Sequence, residues 1–140
     1  MAVSLRMSEA ASLALHAMRV LASADAAQRV TTHEIATTLS VSETHLAKVM
    51  PRLVRRGLVT STRGPGGGFA LAKDADKVAL IEVYEMVEGP LDPAKCFLGH
   101  EVCPKGECMF GGLIETINIL ARQHLERTTV GEFAKDKERG

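Results

Sequence analysis

The chain has 140 residues, 46% of them hydrophobic, a length and composition that suit one globular domain and exclude a disordered chain. No apolar run reaches the roughly 18 residues a bilayer span needs, and no secretory leader opens the chain, so a cytoplasmic protein with no membrane partner is expected. The net charge of zero conceals an asymmetry: nine Lys/Arg against four Asp/Glu over residues 1–73, and eight against thirteen over residues 74–140.

From Ser8 to about Ala24, Met7, Ala10, Ala11, Ala14, Leu15, Met18 and Leu21 fall at helical spacing, and Ser8 can cap the start. Gln28 to Val30 reads as a short extended piece. Thr31, with Glu34 three positions on, opens a second helix that runs to about Leu39. Ser40-Val41 makes a turn. Ser42 then caps a third helix reaching Arg56, which Gly57 ends. Pro51 lies inside it, removes one backbone donor and is expected to bend or loosen it.

Leu58 to Thr62 is β-prone, and Phe69 to Leu71 can pair with it. The intervening Arg63-Gly64-Pro65-Gly66-Gly67-Gly68 forms a glycine-rich hairpin tip. It lacks the order of a phosphate-binding loop, and no helix follows it. Val78 to Glu88 suits an amphipathic helix closed by Gly89-Pro90. A cysteine-bearing loop covers about Leu91 to Cys108. A long helix follows from about Met109 to Glu126, with Ile114, Ile117, Leu120, Ala121 and Leu125 as its apolar stripe. The charged tail from Glu132 onward is expected to be loose.

Two short helices, a turn and a β-hairpin make a winged helix-turn-helix, so the fold class is mainly α with a small β wing. In this motif the second helix enters the major groove of double-stranded DNA with its N-terminal side chains on base edges. Ser42, Thr44, His45 and Lys48 fall there. Arg52, with Arg55 and Arg56, is better placed for phosphates or acidic neighbours. Arg63 at the wing is a candidate for a narrow, A·T-rich minor groove. The basic N-terminal half agrees with a phosphate-facing surface.

Cys96, Cys103 and Cys108 sit in CFLGHEVCPKGEC, spaced C-x6-C and C-x4-C. An odd trio in a reducing compartment points to metal binding or redox sensing more than to structural disulfides. Thiolates suit iron–sulfur clusters and zinc, and these spacings are wider than the tight knuckles of structural zinc. The alternatives are free thiols, or a disulfide formed on oxidation. An enzyme is not expected: Cys103 or Cys108 with His100 lacks an oriented third group. An electron carrier would need neither the wing nor the basic half.

The stretch TRGPGGGFALAKDADKVALIEVYEMVEGP followed by the cysteine trio resembles the bacterial winged-helix regulators that include the iron–sulfur regulator IscR, the nitric-oxide sensor NsrR and the redox sensor RsrR. The likeness extends from about Leu5 to Phe133. It implies a homodimeric repressor or activator with a dimerisation helix at about Gly112 to Arg127. It also implies a 2Fe–2S or 4Fe–4S cluster whose state sets DNA affinity. The expected layout is a DNA-binding region over 1–73, a linker helix and cysteine loop over 74–108, a dimerisation helix over 109–131 and a flexible tail over 132–140.

The chain departs from these relatives at identifiable places. IscR-type proteins carry a histidine three residues after the third cysteine, where this chain has Gly111. NsrR-type proteins draw an aspartate from the partner's first helix, where this chain has Ser12. RsrR-type proteins place a histidine in the slot corresponding to His16, which is the leading fourth ligand by this resemblance, with Glu9, Ser12 and His100 as weaker options. A glutamate that selects DNA motifs in IscR-type proteins corresponds to Ala47.

Overall fold

Helix α1 (Glu9–Ser23) starts where Ser8 stays extended and its hydroxyl accepts the Ala11 N–H at 3.1 Å. The computed structural model describes residues 7–25, 27–91, 103–104 and 108–135. Ala11, Ala14, Ala17 and Met18 are fully buried, and the three alanines let neighbouring helices approach the α1 backbone. α1 is thereby a central element, with the wing and four of the later helices packed on it. Met7, expected on its apolar face, is exposed just ahead of the helix.

Thr31 and Glu34 form the reciprocal capping box that opens α2 (Thr32–Leu39): the Glu34 N–H donates to Thr31 Oγ1 at 3.1 Å and the Thr31 N–H to Glu34 Oε2 at 2.9 Å. Ser40 ends α2 in the left-handed region at φ 56°. Ser42 then caps α3 (Glu43–Arg55), accepting the His45 N–H at 3.3 Å. Leu46, Val49, Met50 and Leu53 bury one face of α3. The helix is continuous through Pro51, whose ring is exposed.

The wing pairs β1 (Val59–Thr62) with β2 (Gly68–Leu71), antiparallel, in the register Val59–Leu71 to Thr62–Gly68. Val30 and Phe69 exchange backbone hydrogen bonds of 2.9 and 2.8 Å, so the wing is stitched to the chain entering α2. Gly68 makes this possible. Its φ is +139°, and a Cβ there would lie 2.8 Å from the Val30 carbonyl oxygen.

A 3-10 turn (Ala75–Lys77) leads into α4 (Leu80–Glu88). Val78 and Ala79, expected in this helix, are extended instead because they bond to the far end of the chain: Val130 N–H to Val78 O and Leu80 N–H to Thr128 O, both 2.9 Å. Helix α5 (Leu113–Arg127) begins four residues later than expected, after turns at residues 109–112. Its buried line is Ile114, Asn118 and Leu125, not the expected stripe through Ile117 and Leu120, both of which are exposed. Leu125 packs with Tyr84 and Leu91 in a second small core, beside Ala121.

The expectation of a loose tail from Glu132 is corrected over 132–135. Helix α6 (Val130–Lys135) lies there, packed on α1. Val130 is buried, and the Phe133 ring stands 5.8 Å from the Arg19 guanidinium. Two apolar residues three apart suffice once the Ala79–Thr129 bridge has fixed where the helix starts. Among the described residues, no helix is long and apolar enough to cross a membrane.

Candidate nucleic-acid interface and metal centre

The first turn of α3 presents Ser42, Thr44, His45 and Lys48 to solvent while Leu46, Val49 and Met50 anchor it from behind. Arg63 is exposed at the wing, one residue beyond β1. An exposed polar row on a helix fixed to a core, with a basic hairpin tip on the same frame, is what groove readout requires. Arg29 donates to Thr60 Oγ1 at 3.3 Å and adds a tie at the base of the wing.

Arg52 is engaged elsewhere than expected. Its Nη2 donates to the carbonyls of Met86 and Val87, each at 3.3 Å, and the contacts are partly buried. The C-terminal carbonyls of a helix lack intrahelical donors, and a guanidinium satisfies them well. Arg52 thus joins the reading helix to the end of α4. The same end of α4 receives two more ties: the Ser8 hydroxyl donates to the Glu88 carboxylate, and the Leu91 N–H donates to Glu85 Oε2 at 2.9 Å. Arg122 of α5 donates to the Leu91 carbonyl. The cysteine segment leaves the chain directly after this joint. Apart from the local Leu91–Glu85 bond, these ties span 31 to 80 residues, and no local pattern in the sequence marks them.

Of the expected metal ligands, Cys103 and Cys108 are exposed and outside any disulfide. Cys96 and His100 lie outside the described residues. His16 is exposed on α1, 2.7 Å through Nδ1 from the Ser12 carbonyl oxygen. A carbonyl only accepts, so Nδ1 carries a proton, and in the neutral ring the lone pair then lies on Nε2, the arrangement that orients a ligating histidine. Ser12 Oγ lies 3.4 Å from the same nitrogen. Glu9, a weaker ligand option, has its carboxylate 2.9 Å from His45 Nδ1. Among the described residues, no three His, Cys, Asp or Glu side chains gather as a metal-holding group. The donor set fits a thiolate-ligated cluster in kind: two accessible sulfurs and an imidazole with a correctly placed lone pair.

A family model described as Rrf2, iron-dependent transcriptional regulator, matches residues 7–136. The chain belongs to this family. The HTH-type transcriptional regulator IscR of Escherichia coli is 34% identical over 99 residues, which are 70% of this chain and 60% of that protein. The match therefore spans about 60% of the length of the curated relatives. Among solved structures, CymR, the global cysteine regulator of B. subtilis, superimposes with a TM-score of 0.78 at 27% identity, covering 94% of this chain and 97% of that one. The T. potens IscR structure matches at a TM-score of 0.74 and 21% identity, over 96% and 90% of the two chains, and so speaks for the fold alone. The mainly helical winged-helix architecture read from the sequence is that of these Rrf2 structures.

Proposed function

We propose that this chain is a homodimeric, DNA-binding transcription regulator, not an enzyme, whose operator affinity is set by an iron–sulfur cluster. The observation that carries the reading is the joint at the end of α4. There Arg52 of the reading helix holds the Met86 and Val87 carbonyls, a few residues before the cysteine segment begins. A change in that segment has a short path, through named hydrogen bonds, to the helix that faces DNA.

Cys96, Cys103 and Cys108 would hold the cluster, with His16 as the fourth ligand. The cluster type is 2Fe–2S or 4Fe–4S. When bound, it supplies an electron-accepting, oxygen- and nitric-oxide-reactive centre. Ser12 keeps His16 in the ligating tautomer, Ser42, Thr44, His45 and Lys48 meet base edges, and Arg63 enters the minor groove beside the wing.

Homodimerisation is supported by α5. Leu113, Ile117 and Leu120 fall at i, i+4, i+7 on one face, and all are exposed. Phe110 and Met109 extend the apolar surface toward Cys108, and Met109 is 87% exposed. A contiguous apolar helix face of this kind marks an interface.

The test is an anaerobic absorption spectrum with iron and sulfide analysis, on the wild type and on His16→Ala, paired with operator affinity before and after cluster loss. Visible charge-transfer bands and an affinity change of about tenfold or more, abolished when all three cysteines are replaced by alanine, are expected. Equal affinity in both states of the wild type rejects gating. A second reading keeps DNA binding and makes the cysteines a thiol–disulfide or zinc switch. The exposed thiols of Cys103 and Cys108 favour it. A colourless protein after anaerobic reconstitution selects this second reading.

A further inference from the structure

The carboxylate of Glu9, the first residue of α1, lies 2.9 Å from Nδ1 of His45 on the reading helix, across 36 positions of sequence. Both side chains are exposed, at 70% for Glu9 and 53% for His45, so this pair contributes little to folding. Its consequence is for the imidazole. An ionised carboxylate only accepts, so Nδ1 donates to Glu9, and the neutral ring keeps its lone pair on Nε2.

His45 occupies the first turn of α3, where side chains meet the major groove. In that groove cytosine N4 and adenine N6 are donors, while guanine O6 and thymine O4 are acceptors. We propose that Glu9 is a positioning residue for base readout: it orients His45 as an acceptor, so that this position of the operator favours cytosine or adenine over guanine or thymine. The inference rests on α3 being the DNA-reading helix. It gives Glu9 a role in DNA choice, distinct from the ligand role considered for it above. Without Glu9 the imidazole would be free to take either tautomer, and the same side chain would read both classes of base.

The experiment selects operators from a randomised duplex library with the full-length wild type, all proteins being prepared anaerobically by one protocol. Dissociation constants are then measured at one fixed pH on duplexes carrying each of the four bases at the position whose preference His45→Ala abolishes. The wild type should favour cytosine or adenine by about fivefold, the size of one neutral hydrogen bond. Glu9→Ala should bring that ratio close to one. Glu9→Gln, whose amide oxygen can accept the same Nδ1–H, should restore most of it. Thermal unfolding of each variant checks that the fold is kept. An unchanged ratio in Glu9→Ala, including one accompanied by a uniform change in affinity on all four duplexes, overturns the proposal. So does a wild-type preference for guanine or thymine. A wild type that enriches no sequence defeats the DNA-reading assignment itself, a result distinct from those.

Discussion

Arg52 and Lys48 stand four residues apart on α3 and have different work to do. Arg52 is tied to two α4 carbonyls, whereas Lys48 is exposed nearer the N-terminus of the helix, at the end proposed to face the groove. Arg52→Met leaves those carbonyls without their guanidinium and should lower unfolding free energy by about 1–3 kcal/mol, read by urea denaturation at fixed protein concentration. Lys48→Met should leave that midpoint unchanged. It should weaken DNA binding and reduce the slope of log affinity against log salt by about one if Lys48 meets a phosphate. If Arg52→Met instead reproduced the lysine variant's salt effect at full stability, the phosphate role first assigned to Arg52 would return. Gly68 is constrained by backbone, not by a movable side chain. Gly68→Ala brings Cβ to 2.8 Å from the Val30 carbonyl oxygen and should cost about 2–3 kcal/mol, measured as a lowered unfolding midpoint.

At the scale of elements, local chemistry decided which parts could be read in advance. The starts of α1, α2 and α3 were legible because Ser8, the Thr31–Glu34 box and Ser42 each satisfy orphan backbone donors within three residues. The hairpin was legible because its turn needs glycine. α6 was not, since a six-residue helix with Val130 and Phe133 as its apolar contacts carries no periodicity, and its existence depends on pairing with residues 78–79, some 50 positions away. α5 misled for another reason. Two apolar faces share one helix, and spacing alone does not say which is satisfied within the chain. For the candidate site residues, the helix that carries each one follows from local pattern, but the partners of Glu9, Arg52 and His16 are tertiary or depend on the rotamer. Leu120→Glu, on the face that is 61% exposed at that residue, should leave the helical circular-dichroism signal intact and shift sedimentation to the monomer. A stable dimer in that variant would move the interface off this face.

At the scale of the molecule, the wing, the reading helix and α1 share one core, with Val30 at the seam between wing and α2. The wing and α3 are therefore expected to move together, and in the proposed dimer a signal would act by altering how the two subunits are placed relative to each other. Two-fold related reading helices demand half-sites about 34–36 Å apart, or a multiple of that distance. Hydroxyl-radical footprinting on a selected operator should show protections with two-fold symmetry at that period. A single unsymmetrical footprint would point to a monomeric reader.

Leu91 has one further consequence. Its N–H is held by Glu85 and its carbonyl by Arg122, so the backbone is anchored on both sides at the point where the cysteine segment departs. Insertions or deletions beyond an anchored exit need not unfold what lies before it, while a pull on the segment is still passed to α4 and α5 through the same bonds. Under the proposed function, such a junction would make the stimulus exchangeable: rewriting a short stretch after residue 91 would supply a new trigger while the operator stays the same.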